Sequence, residues 1–317
     1  MLKRRNSSTY NVTLVVYNPY DATSEVIQIP GLSNHGVFNF TNYHLNGVDY
    51  DYSTGLIYIA AGSATAFTST DTGDYSHQNL TGPNRILRFD PQTKTFLADI
   101  DLTPAANTYL RKVGNRTTGF QDMAEIPNGD VYAIGTFGNA IVKIAKGSTE
   151  PTLWYSPPHY NNTYGFGGIF ANGYKLVVSD RLTGELVTFD TRVSSRPQAT
   201  FVSLQGLPAD YKPLVADGLF APIKYHGKVA LWSDDYNGTS VYGSRDHWAS
   251  AHYLGRVPNA AEAVMAGGLA VATFDIGERI FNLNEYFQFE LPVKGKKKFP
   301  LYDITAAVDK MVQAWME

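Results

Sequence analysis

The chain repeats one short pattern: a small-residue turn followed by a strand of large apolar residues. The copies are Ser53–Ala60 (STGLIYIA), Asn128–Ile134 (NGDVYAI), Asn172–Ser179 (NGYKLVVS) and His226–Ser233 (HGKVALWS). Their turn glycines, Gly55, Gly129, Gly173 and Gly227, lie 74, 44 and 54 residues apart, and Gly268 in Met265–Thr273 continues the series 41 residues on. A supersecondary unit of roughly 40 to 50 residues that returns with turn chemistry at its centre predicts a β-propeller.

Each inner hairpin is followed by an outer one of the form apolar strand, polar turn, apolar strand. These run over Ile86–Ile100, Ile141–Trp154, Leu186–Val202, Val241–Val257 and Ile280–Val293. A further outer hairpin, Thr13–Ile29, stands alone at the N-terminus, where one chain end of a propeller completes the blade begun by the other. Six outer hairpins against five clear inner ones predict an all-β, six-bladed propeller whose N-terminal hairpin closes the ring, with five blades the second choice. From Tyr302 to Met316 the apolar residues Ile304, Val308, Met311, Val312 and Trp315 follow a helical period, which predicts a short C-terminal helix capping the ring. With no Pro/Ser-rich linker, residues 1–317 read as a single domain.

Composition narrows the function. The chain carries 21 Tyr, 17 Phe and 4 Trp, a net charge of -3 and a pI of about 6.2, the balance of a protein that does not bind nucleic acid. Its one basic run, Lys294 and Lys296 to Lys298, reads as a solvated loop. No stretch reaches the ~18 apolar residues of a membrane span. Seven N-x-[ST] sequons, at Asn6, Asn11, Asn39, Asn79, Asn115, Asn161 and Asn237, predict glycosylation. A secretory or extracellular location follows, with a signal peptide already removed. The absence of cysteine excludes disulfides and thiol chemistry.

In a propeller, the loops joining the fourth strand to the next first strand gather on one face with the loops between second and third strands. Ligands bind there, at the mouth of the central channel. This geometry puts His226, His247 and Trp248 on the opposite face in structural roles, and Asn128 and Asn172 with them as turn formers. It selects His35, Gln121 and Tyr164 as catalytic candidates, and His44, Tyr109, Asp122, Phe166, Asp180, Asp217 and Asp234 as substrate-binding ones. Two long insertions, Ala61–Asn84 with His77 and Thr103–Phe120 with Arg111, read as lids over the mouth. For the three aspartates, capping of local N–H groups is the competing role. For Tyr164 and Phe166 it is packing at a blade edge.

Three chemistries compete for that face. A Ser-His-Asp site requires a nucleophile turn such as G-x-S-x-G, which the chain lacks. A metal site built from carboxylates of separate blades has no spacing rule to test. A pericyclic addition requires neither nucleophile nor metal, only an apolar pocket that holds two reactants in a near-attack pose and donors that polarise one of them. Hydrophobic small molecules are then the expected partners, and no cofactor or metal is expected. The oligomeric state is not legible.

Two resemblances bear on the choice. Asp217-Gly218-Leu219 with Val229–Asp234, and Leu176–Asp180 with Gly184–Asp190, resemble blades of gluconolactonase-type six-bladed propellers. That likeness implies a divalent metal on the axis held by a Glu, two Asn and an Asp. Asp217 matches the Asp, while Gln121 or Asp122 and Gly167-Gly168 stand where Asn is expected, and Gly47–Asp51 lacks the Glu. The sequons, the missing cysteines, the blade pattern and the tail Phe299–Trp315 together are similar to secreted fungal propellers of terpenoid gene clusters. That group includes the trichothecene-cluster propeller protein and the hetero-Diels–Alderases of tropolonic sesquiterpene biosynthesis. The resemblance implies addition of a tropolone quinone methide to a humulene-type macrocycle. A metal-dependent lactonase, the trichothecene-cluster role and a non-catalytic scaffold are the alternatives.

Overall fold

A computed structural model describes residues 13–18, 20–21, 23–32, 43–63, 66, 80–158, 165–193, 197–211, 216–286 and 300–317. The chain is all-β, of the propeller class, with small helices, and among the described residues it forms five blades rather than six. The first blade is β3 (Tyr43–Tyr50), β4 (Ile57–Ser63), β5 (Arg85–Asp90) and β6 (Thr95–Asp101), preceded by a hairpin of β1 (Thr13–Asn18) and β2 (Thr23–Gln28). After helix α1 (Thr103–Val113) comes the second blade: β7 (Thr118–Glu125), β8 (Val131–Phe137), β9 (Ala140–Ile144) and β10 (Pro151–Tyr155). The third is β11 (Phe166–Asn172), β12 (Lys175–Asp180), β13 (Glu185–Asp190) and β14 (Thr200–Phe201). The fourth has five strands: β15 (Ser203–Gln205), β16 (Ala216–Phe220), β17 (Val229–Asp234), β18 (Gly238–Gly243) and β19 (Ser250–Val257). Helix α2 (Ala261–Met265) leads to the fifth, β20 (Leu269–Ile276), β21 (Arg279–Glu285) and β22 (Leu301–Asp303), and α3 (Thr305–Met316) ends the chain.

The missing sixth blade has a simple cause. β1 and β2 pair with each other and with no other strand among the described residues, so the hairpin joins no late segment and does not close a blade with the C-terminal strands. Instead Leu14 and Ile29 pack on the first blade against Leu45, Ile57, Ile59 and Phe89. Lys94 on the β5–β6 turn adds an ion pair to Glu25 at 2.6 Å. A blade needs an inner strand, and the five inner hairpins of the sequence count it better than the outer ones do.

Four of the repeated turns are where the sequence puts them: Gly55, Gly129, Gly173 and Gly227 all adopt φ between 61° and 87°, the left-handed region that glycine enters without strain. The fifth is displaced. Gly268 precedes the inner strand β20, and the turn between β20 and β21 is made by Gly277, at φ 59°. The strand after each turn is buried on both faces, as β4, β8 and β17 show along their whole length, which is why it reads as a near-continuous apolar run.

The residues fall into two compact units, Met1–Phe166 with Gly173–Lys175 and Asp190–Gln198, and Gly167–Asn172 with Leu176–Phe189 and Ala199–Glu317. In the second, α3 packs against β18, β19 and β21. Val308 and Val312 pack with Val229, Leu231, Val241 and Ile280, and Trp315 lies on Gly243, where a Cβ would come within 2.9 Å of its ring.

Candidate functional site

Four inner strands carry a β-bulge close to their first residue: between Leu45 and Val48 in β3, Phe120 and Asp122 in β7, Ala216 and Leu219 in β16, and Ala270 and Ala272 in β20. Bulges re-aim side chains and recur beside functional sites. Here they present Asn46-Gly47, Gln121, Asp217-Gly218 and Val271. The glycines let neighbouring inner strands touch. In the first unit a Cβ on Gly47 would lie 2.3 Å from the Gln121 carbonyl oxygen. In the second, a Cβ on Gly168 would lie 2.1 Å from the Leu219 nitrogen, and one on Gly218 would lie 2.9 Å from the Val271 oxygen.

In the first unit, this end of the blades is built from amides and hydroxyls. Asn46 Nδ2 donates to the Phe120 carbonyl at 3.1 Å. Asn84 Oδ1 accepts from Thr118 Oγ1 at 3.0 Å and from the Ser63 N–H at 3.3 Å. Gln121 is buried in the β7 bulge, with half-buried His44 in β3 opposite Gly62 and half-buried Asp122 beside it, Oδ1 accepting the Met123 N–H. Phe166 is buried and stacks on Tyr155 with ring centroids 6.3 Å apart.

Tyr109 has a packing role. The segment read as a lid folds as α1, begun by Pro104 and ended by Gly114 at φ 81°. Its buried Tyr109 donates its hydroxyl to the Gly138 carbonyl at 2.7 Å. His35, Tyr164 and His77 lie outside the described residues, as do the sequons at Asn6, Asn11, Asn39, Asn79 and Asn161.

The second unit gathers charge. Asp180 ends β12, and its Oδ1 accepts the Leu182 N–H at 2.9 Å. Asp234 ends β17 and accepts from the Tyr236 and Asn237 N–H groups and from Asn237 Nδ2 at 3.0 Å. Both do what the turn-capping reading foresaw. Asp217 does something different: it forms an ion pair with Arg181 Nη2, and the two residues are each 6% exposed. In register Asp234 lies opposite Ala216, so Asp180, Arg181, Asp217 and Asp234 belong to one neighbourhood.

A second carboxyl site sits at the other end of β3 and β7, in the first unit. Asp51 caps the turn that follows β3, accepting from the Ser53 and Thr54 N–H groups at 2.7 and 3.0 Å and from the Thr54 hydroxyl. Burial pushes its pKa up, but hydrogen bonds from Thr54, Glu125 and Ser53 outweigh that and hold it below the ordinary carboxylate value. Glu125 moves the other way, raised to about 8 by burial and by its hydrogen bond to Asp51. One proton shared between two adjacent carboxyls has this signature.

The metal implied by a gluconolactonase-type propeller does not fit these residues. Asp217 is held by a guanidinium, Gly168 has no room for a side chain, and among the described residues no group of three or more His, Cys, Asp or Glu is placed to hold an ion. Arg181 and the Asp51–Glu125 pair escaped the sequence reading because each joins positions far apart in the chain. The bulge glycines Gly47 and Gly218, each after a polar residue in an apolar run, were the signal available.

No family model matches the chain. It is similar along 96% of its length to two curated fungal proteins. "Trichothecene biosynthesis protein 14" of Trichoderma arundinaceum is 27% identical, with 83% of its length covered. "Core trichothecene cluster (CTC) protein 14" of Fusarium sporotrichioides is 24% identical, with 80% covered. Among solved structures, the major allergen Mala s 1 of Malassezia sympodialis matches with a TM-score of 0.73 at 19% identity, over 93% of this chain and 87% of that one. The periplasmic gluconolactonase PpgL of Pseudomonas aeruginosa matches with a TM-score of 0.55 at 11% identity, over 88% and 73%. These structures share the fold.

Proposed function

We propose that the chain is a cofactor-free cyclase of fungal secondary metabolism, joining a tropolone quinone methide to a humulene-type sesquiterpene by an intermolecular hetero-Diels–Alder addition. The observation that carries the metabolic setting is the similarity, over 96% of the chain, to fungal proteins named for trichothecene biosynthesis. In the reaction the exocyclic carbon and the carbonyl oxygen of the quinone methide bond to the two carbons of one alkene. Three π bonds become one new C=C and two σ bonds, and a dihydropyran forms with no oxidant, reductant or leaving group.

Such a step is accelerated by positioning and by hydrogen bonds that strengthen as charge builds on the carbonyl oxygen. Gln121, buried in the β7 bulge, is the donor candidate among the described residues, with His35 and Tyr164 proposed beside it. His44, Asp122 and Phe166 are the proposed neighbours of the substrate in the first unit. Replacing Gln121 by Leu is expected to lower the rate by roughly 10- to 1000-fold without abolishing it, the range for one oriented hydrogen bond. The deciding assay mixes a generated quinone methide with humulene and follows product with and without the chain. Equal rates would remove the proposal.

A metal-dependent lactonase is the second reading, with a gluconolactonase-like fold in its favour and the engagement of Asp217 by Arg181 against it. Turnover of a lactone that collapses with EDTA and returns with calcium or zinc would establish it. We further propose passage through the secretory route, with a glycan at Asn115, which is half-buried just after α1. Asn237 is the weaker acceptor because its amide nitrogen already donates to Asp234. A secreted preparation whose mass is unchanged by deglycosylation would overturn this.

A further inference from the structure

The Arg181–Asp217 pair is held from both sides. Arg181 directly follows β12 in a turn closed by the Leu182 N–H on Asp180 Oδ1 and the Gly184 N–H on the Asp180 carbonyl, each at 2.9 Å. Asp217 sits in the β16 bulge, fixed by the close approaches of Gly168 to Leu219 and of Gly218 to Val271. Both side chains are more than nine-tenths buried, so the two charges compensate each other where water does not reach. A carboxylate oxygen engaged by a guanidinium is not open to a hard cation, so while Arg181 holds Asp217 a calcium ion is shut out of this place.

We propose that Arg181 is a fixed internal cation, standing in for the divalent metal that Asp217 would hold in a gluconolactonase-type propeller. The positive charge at this place is thus part of the chain and does not depend on metal supply, whichever reaction the protein catalyses. The corollary is that removing the guanidinium creates demand for an external cation.

The test is a calcium titration by calorimetry and thermal unfolding on the purified full chain, up to about 10 mM, tenfold above the weakest protein calcium sites. The unaltered chain is expected to give no binding heat and no shift in Tm. Arg181→Asn, which removes the charge and adds a carbonyl oxygen, should gain a calcium-dependent rise in Tm that EDTA reverses and that vanishes in Arg181→Asn/Asp217→Asn. One calcium bound per unaltered chain, lost on Asp217→Asn, would overturn the proposal, as would a folded Arg181→Asn indifferent to calcium. If Arg181→Asn does not fold without metal, its refolding in calcium supports the proposal, and failure to refold there, while Arg181→Met/Asp217→Leu folds, overturns it.

Discussion

Asp51 and Asp217 are both buried carboxylates, at 2% and 6% exposure, yet the protein neutralises their surroundings by opposite means. Around Asp51 the compensation is a proton, held by Glu125 and supported by a turn full of N–H donors. Around Asp217 it is a guanidinium that solvent does not reach. A proton is set by the medium and a guanidinium is not, so the first site reports pH while the second carries a built-in cation. Burial alone therefore says little about how a carboxylate behaves. The partner decides it.

The largest effect expected is at the guanidinium site. Asp217→Leu or Arg181→Met alone breaks a buried ion pair, which costs about 3 to 5 kcal/mol, whereas Arg181→Met/Asp217→Leu together should cost far less. Urea unfolding of the two singles and the double measures the difference, and an additive double would show that the pair is not coupled. Next comes the packing that frames each site. Gly168→Ala forces a Cβ to 2.1 Å from the Leu219 nitrogen and is expected to cost about 1 to 3 kcal/mol or more, and Gly47→Ala, at 2.3 Å from the Gln121 oxygen, should behave alike. If only Gly168→Ala destabilises, the two sites differ in rigidity as well as in charge.

The remaining effect is the pH response. Glu125 keeps its proton in the folded chain up to about pH 8 but releases it at its ordinary value of 4.5 when unfolded. The folded state binds the Glu125 proton between those limits, so the contribution of Glu125 is complete below pH 4.5 and is lost as pH rises to about 8, whereas that of Asp51, whose pKa is lowered, is lost as pH falls below its ordinary 3.8. Asp49 adds repulsion to the same site. Glu125→Gln, which keeps a donor to Asp51, should flatten stability against pH over that window. An unchanged slope would place the proton elsewhere.

How much of this could be read in advance follows from which interactions are local. The turn glycines and the doubly buried second strands are local features, and they were legible. Gly268 misled because a glycine before an apolar run looks the same whether the run is a first or a second strand. The helix α1 was signalled by Pro104 and Gly114, but the length of the segment was read as a lid instead. Arg181 and Asp217 are 36 residues apart, and nothing in either neighbourhood says that the end of β12 meets the bulge of β16. Glu125 and Asp51 have the same character, since the bond between them depends on how β3 and β7 are aligned.

The segment from Thr200 to Gln205 belongs to two sheets: β14 pairs with β13 in the third blade, and three residues later β15 pairs in parallel with β19 on the rim of the fourth. A single residue, Val202, separates the two strands, so releasing the peptide from one sheet loosens its seat on the other. The third and fourth blades should therefore open together, with the amides of β13 and β19 exchanging hydrogen at a common rate set by one cooperative event.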